Sequence, residues 1–311
     1  MSKFLVTGGA GFIGSHIVRT LIGKRHFVRV LDDFSSGKKK NIDPVLNKIE
    51  LIRGDIRDKN TCFKAVKGMD FILHQAALRS VPKSLVNPKN YNEVNIDGTL
   101  NMLDAAKKYK VKSFVFASSS SIYGDINTFP EKESFLSGLI SPYALSKLAG
   151  EYYCKIFSHH YGLPTACLRY FNVFGPRQAL DDEYAVVIPK FIHCILNNDP
   201  PPIFGTGKQS RDFTFIENVV QANILAAKRA YKGEVFNIAS GKDYSVLKLV
   251  EILNKIMKKD IKPIFLKPRQ GDVFRTLADL SKSKKLLGYK PKVDFIRGLE
   301  ETVEYFRRQN E

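Results

Sequence analysis

The segment KFLVTGGAGFIGSHIV, beginning at Lys3, constrains the fold more than any other part of the chain. Phe4 to Thr7 form a short apolar run of strand character. Gly8, Gly11 and Gly14 follow at intervals of three, and Ile13, Ile17, Val18 and Leu21 then recur at helical spacing. A strand that turns at once into a helix needs a residue without side-chain sterics at the bend, and Gly8 supplies it. Gly11 lets the backbone approach a diphosphate, and Gly14 lets the helix pack on the sheet while the start of that helix, at Phe12 and Ile13, faces the anion. The next apolar run, FVRVLDD, brings Asp32 about 20 residues on, where a carboxylate meets the ribose hydroxyls of a dinucleotide. Asp32 and Asp33 repel a 2′-phosphate, and no arginine follows at once to receive one, so the pattern predicts NAD rather than NADP.

The runs FLVT, FVRVL, IELIRGD, DFILHQ, KSFVFASS and TACLRYF alternate with segments of helical periodicity. This predicts an α/β fold with a doubly wound, Rossmann-type parallel sheet, whose ligand crevice follows the C-terminal strand edge. Asp55, Ile56, Gln75, Ala76 and Ala77 fall on that edge. His74 reads as a core histidine without chemistry. From Asn172 the alternation breaks and Pro200, Pro201 and Pro202 intervene, which predicts a division into residues 1–171, the cofactor domain, and 172–311, mainly a smaller mixed α/β substrate lobe with segments returning to the first domain. The last helix, near 296–307, reads as an ordinary amphipathic terminus.

The 49 basic and 31 acidic residues give a net charge of +18, which invites a nucleic-acid reading. The lysines are dispersed, however, with one tight run at Lys38, Lys39 and Lys40, and no basic motif is interleaved with aromatic residues, so no nucleic-acid partner is expected. The positive field instead suits an anionic small substrate. Cys62, Cys154, Cys167 and Cys194 lie far apart without ligand spacing, which predicts free thiols, no metal and a reducing compartment. Without a leader pattern or a long apolar run, the chain reads as cytoplasmic and not membrane-inserted.

Ser141 and Pro142 have the types favoured at a helix cap and first turn, so a helix is expected to start there. Tyr143 and Lys147 then share one face. An ammonium beside a phenol, with an oxidised nicotinamide adding charge, favours the phenolate and makes the tyrosine a base below its usual pKa of about 10. Ser118, Ser119, Ser120 and Ser121 follow the strand KSFVFA and can hydrogen-bond a substrate oxygen.

Together the glycine turn, SSSSIYG and Tyr143-x-x-x-Lys147 resemble the extended short-chain dehydrogenase/reductase superfamily. Within it, HQAALRSVPKS, VNIDGTLNMLDAA, LRYFNVFGPRQ, AVVIPKF, GTGKQSRDF and PRQGDV are most similar to nucleotide-sugar 4-epimerases acting on UDP-N-acetylhexosamines. The resemblance implies that Ser119 is the catalytic hydroxyl, assisted by Ser120, that Tyr143 is the base, and that Lys147 tunes it and holds the nicotinamide ribose. It adds Ser36, Gly37, Asn95 and Tyr170 to the cofactor contacts, and Ser80, Ser121 and Val187 to those of the substrate. Asn172, Arg211 and Arg269 would hold the UDP diphosphate, and Asp272 would lie near the uridine ribose. A homodimer built through the Tyr143 helix and the 90–109 helix is implied as well.

The resemblance also covers dehydratases, decarboxylases and uronic acid 4-epimerases. Dehydratases carry an Asp-Glu pair where this chain has Ser120-Ser121, so oxidation and re-reduction at C4 is the expected reaction. Thr276 matches a position where glucose-restricted relatives carry a tyrosine. The small side chain leaves room for an N-acetyl group, so interconversion of UDP-GlcNAc and UDP-GalNAc is expected, with UDP-Glc and UDP-Gal also accepted. Arg79 stands where close relatives often have a small residue. A non-catalytic NAD-binding regulator is the alternative of another class, and the retained Tyr143–Lys147 pair argues against it.

Overall fold

The computed structural model describes residues 1–180, 187–268 and 273–310. Strands and helices alternate as the apolar runs require: β1 (Lys3–Thr7), α1 (Phe12–Gly23), β2 (Phe27–Asp32), β3 (Glu50–Arg53), α2 (Lys59–Val66) and β4 (Phe71–His74). The short helices α3 (Val81–Val86) and α4 (Pro88–Asn92) come next, and a π turn at Glu93–Asp97 joins α4 to α5 (Gly98–Lys108). β5 (Ser113–Ser119), α6 (Pro142–Tyr161) and β6 (Thr165–Tyr170) complete this half. The elements then shorten: β7 (Val173–Phe174), α7 (Val187–Leu196), β8 (Pro202–Phe204), β9 (Ser210–Asp212), β10 (Thr214–Phe215), α8 (Ile216–Ala227), β11 (Lys232–Ile238), β12 (Asp243–Ser245), α9 (Val246–Met257), β13 (Ile264–Leu266) and α10 (Phe295–Asn310).

Seven strands form one parallel sheet in the order β11-β6-β5-β4-β1-β2-β3. The order reverses between β1 and β4, where Thr7 lies opposite His74, and the crevice opens beyond that point. Period-two alternation divides the core. Leu5, Phe114 and Phe116 pack with Cys62, Met102 and Phe157 of α2, α5 and α6, whereas Val6, Val115 and Leu168 pack with Ile17 of α1 and Val219 of α8. Two elements from beyond residue 172, α8 and β11, therefore build on the central sheet. The remainder is tied by three two-stranded ladders, β7 with β10, β8 with β13 and β9 with β12. Phe213 and Tyr244 stack on Phe295 at centroid distances of 5.3 and 4.2 Å, joining α10 to this part.

Local chemistry fixes the ends of α6. The Ser141 hydroxyl accepts from the Ala144 amide at 3.2 Å, Pro142 occupies the first turn, and Gly162 ends the helix at φ +67°. Tyr143 is thereby held beside the end of β5. Among the described residues no helix is long and apolar enough to cross a membrane.

Candidate active site

A cavity of about 470 Å³ runs along the C-terminal strand edge from the glycine turn to Tyr143. Gly8 has φ +64°, and a Cβ there would lie 2.8 Å from the Ala76 nitrogen. A Cβ on Gly14 would collide with the Gly8 carbonyl oxygen. Gly11 caps α1 with no side-chain hydrogen bond, so the amides of the first turn, at Phe12 and Ile13 in the cavity wall, are left for an anion. This cradle fits the diphosphate of NAD.

Asp32 has two tasks where the sequence suggested one. Its oxygens accept from the Ala10 and Phe34 amides, each at 2.8 Å, so the buried carboxylate fastens the glycine turn. Each oxygen keeps a lone pair, which a ribose hydroxyl can use. Burial pushes its pKa up. Asp33, Ser36, Gly37, Asp55 and Ile56 line the same end. Asp55 is held below the usual carboxylate range by its hydrogen bonds to Arg57. Gln75, Ala76, Ala77 and Tyr170 line the middle, and the Tyr170 hydroxyl joins Gln75 to Asn223. Asn95 does not line the cavity. It is buried, and its amide is bonded to both backbone groups of Leu78 and to Ser146, so it shapes the wall rather than forming its surface. His74 is buried between Thr7 and Thr99, and burial brings it down to about 3, in keeping with a core histidine.

At the far end, the Ser119 hydroxyl lies near the Tyr143 phenol and acts to lower its pKa. The Ser119 hydroxyl also accepts from the Ser121 amide at 3.2 Å and from the Ser121 hydroxyl at 2.9 Å. Ser120 opens the 3₁₀ turn Ser120–Ile122 and is half-buried. Lys147 Nζ donates to the Ala117 carbonyl at 2.8 Å and lies 5.9 Å from the Tyr143 ring centroid. Burial brings the lysine down to about 7. The phenol is raised by burial, opposed by Ser119 and by the charge of Arg79 in the cavity wall. In the protein without its cofactor, burial sets the direction of the phenol's shift, and the charge opposing it is that of Arg79 rather than Lys147.

The residues expected to meet the substrate, Ser80, Asn172, Val187, Arg211 and Thr276, are not among those that line this cavity. Asn172 donates to Thr276 Oγ1 at 2.9 Å and to the Asp212 carbonyl at 3.4 Å, and Thr276 Oγ1 also accepts from the Asp212 amide. Arg211 donates to the Ser210 and Phe274 carbonyls. Val187 begins α7 and is half-buried. Ser80 caps α3 through the Lys83 amide and donates its own amide to Tyr91, so its polar groups serve the loop. Arg269 and Asp272 lie outside the described residues. Sequence reading missed Arg177 and the α10 residues Tyr305, Phe306 and Gln309, all of which line the cavity. The last helix is thus more than an amphipathic terminus.

The pattern of the NAD dependent epimerase/dehydratase family matches residues 4–239. A putative UDP-glucose 4-epimerase of Methanocaldococcus jannaschii is 41% identical over 308 residues, covering 98% of this chain and 99% of the relative. The structure of UDP-N-acetylglucosamine 4-epimerase from Methanobrevibacter ruminantium M1 in complex with UDP-N-acetylmuramic acid is similar at a TM-score of 0.95 and 43% identity, covering 99% of each chain. UDP-glucuronic acid 4-epimerase from Bacillus cereus, solved with UDP-glucuronic acid and NAD, is similar at a TM-score of 0.91 and 34% identity, again over 99% of each chain. The chain belongs to the NAD-dependent epimerase/dehydratase family, within the extended short-chain dehydrogenases/reductases, and its cofactor is NAD.

Proposed function

We propose that the enzyme inverts C4 of UDP-N-acetylhexosamines, interconverting UDP-GlcNAc and UDP-GalNAc and also turning over UDP-Glc and UDP-Gal. The observation that carries this reading is the placement of Ser119 near the Tyr143 phenol, whose ionised form it favours, within a turn whose next side chains, Ser120 and Ser121, are hydroxyls and not carboxylates. Tyr143 removes the O4 proton and later returns it, through or beside Ser119, which gives a 4-keto sugar between the two steps. Bound NAD supplies the hydride acceptor and donor. Lys147, anchored by the Ala117 carbonyl, keeps two further N–H groups for a ribose hydroxyl when protonated. Gly8, Gly11 and Gly14 cradle the cofactor diphosphate, while Asn172, Arg211 and Arg269 hold that of UDP and Asp272 the uridine ribose. Weak contacts to the sugar beside a firmly held UDP let the 4-keto sugar present its other face.

Thr276 supports the acetylated substrate, because its side chain is short, buried and held against Asn172. The relative solved with UDP-N-acetylmuramic acid supports a pocket of this kind. The outward face of α6 exposes Leu145 by 53% and Tyr152 by 60%, which suits a homodimer through α6 and the α4–α5 segment. The four free cysteines suit a reducing, cytoplasmic setting. A second reading, a sugar bearing a carboxylate, is favoured by Arg79 in the cavity wall beside Tyr143.

The test incubates purified protein with UDP-GlcNAc, UDP-Glc or UDP-glucuronic acid and resolves the nucleotide sugars by chromatography. UDP-GalNAc formed faster than UDP-Gal supports the proposal. Turnover of UDP-glucuronic acid alone replaces it with the second reading, and accumulation of a keto product refutes epimerisation.

A further inference from the structure

The turn at Gly175–Gln178 is fastened onto the first turn of α1. His16 Nε2 donates to the Pro176 carbonyl at 2.8 Å, and Arg177 Nε reaches Ser15 Oγ at 3.4 Å. Arg177 holds φ +67°, a conformation that costs a residue with a side chain some energy. Its side chain lines the cavity together with Gly11, Phe12 and Ile13. Among the described residues no carboxylate pairs with it. The larger charge effect on it comes from a second cation, Arg19, whose Nε and Nη2 donate to the Asn41 carbonyl, with the Tyr305 phenol acting in the opposite sense. Burial and Arg19 together bring Arg177 down to about 10, and burial with Arg177 brings His16 down to about 3, so His16 clips the turn as a neutral ring.

A half-buried guanidinium with a like charge acting on it and no counter-charge among the described residues opposes folding. The same space receives the uncapped amides of α1, whose partial positive charge adds to the imbalance. An anion entering there would satisfy both. We propose that Arg177 is a binding residue for the diphosphate of NAD, acting with the α1 amides, and that its charge serves this ligand rather than the fold. A guanidinium fork matches phosphate oxygens, and the His16 and Ser15 contacts hold it in place before the ligand arrives.

The test compares cofactor-stripped wild-type protein with Arg177→Gln by thermal unfolding and by titration with NAD, ADP and adenosine. Loss of one charge-assisted contact predicts NAD and ADP binding weaker by about 10- to 100-fold, with adenosine, which lacks the diphosphate, unchanged. Ligand-free Arg177→Gln is expected to melt at or above the wild-type temperature, because a repelled and partly desolvated charge has been removed. Arg177→Lys should recover part of the ADP affinity. A variant that fails to fold, or that melts lower without ligand, overturns the proposal by giving the charge a structural role. Unchanged affinity for NAD and ADP, or an equal loss for adenosine, overturns it as well.

Discussion

The ion pair between Glu151 of α6 and Arg169 of β6 lies against the end of β5, and its removal should be costly in a particular way. Two hydrogen bonds of 2.8 Å join the groups, the side chains are 4% and 6% exposed, and Ser118 adds a third bond to the same carboxylate at 2.5 Å. Arg169 also lies over the Tyr123 ring at 4.8 Å. Glu151→Leu leaves a buried guanidinium without its partner, and Arg169→Met leaves a buried carboxylate. Each should cost about 3–5 kcal/mol. At about 2 °C per kcal/mol for a chain of this length, the melting temperature falls by roughly 6–10 °C in either variant. Glu151→Leu with Arg169→Met removes both charges together. The Ser118 hydroxyl then loses an acceptor, at about 1 kcal/mol, while two desolvated ions are replaced by apolar volume, so the double variant should fall within about 2 kcal/mol of wild type. Thermal and urea unfolding of the four proteins closes the cycle, with an expected coupling of about 4 kcal/mol or more. Costs that simply add in the double variant would refute the reasoning, since the pair would then be stabilising through packing and not through mutual neutralisation.

Tyr143→Phe should reduce turnover by roughly 100- to 10,000-fold with an unchanged melting temperature, and near-normal turnover would remove the tyrosine as base. Thr276→Tyr should slow the acetylated pair selectively, as read from separate kcat/KM values for UDP-GlcNAc and UDP-Glc; equal losses would disconnect Thr276 from the acetyl pocket. Lys147 is lowered by burial to about 7, so the unfolded chain binds more protons between pH 7 and the usual lysine value, and its burial opposes folding most at low pH. Lys147→Met should therefore stabilise the cofactor-free protein most below pH 7, with the gain fading as pH rises toward about 10; a gain independent of pH would contradict the shift.

What the sequence made legible is what short-range spacing encodes. The glycine turn, the capped start of α6 and the Tyr143–Lys147 face depend on residues within a few positions of one another, and backbone geometry turns that spacing directly into shape. The less legible features come from pairings between distant segments. Asn95 reads as a cofactor contact, yet the loop it meets at Leu78 takes both ends of its amide. Lys147 reads as the group that lowers the phenol, yet burial dominates, and burial at that point is set by the folded surroundings. Arg177 and α10 reach the cavity from the far half of the chain, and no local pattern marks a lone arginine in a left-handed turn as facing a helix start.

Several anchors of the site are main-chain atoms. Lys147 is moored to the Ala117 carbonyl, and Asp32 to the Ala10 and Phe34 amides. Nearly every amino acid carries those groups, so substitutions at positions 10, 34 and 117 can change the local packing while leaving the bonding partner in place. These anchors are inherited through the register of β2 and β5 rather than through residue identity. Drift in side chains is buffered at such points, and a one-residue insertion in either strand, which would leave every side chain of the site chemically intact, would be the more damaging event.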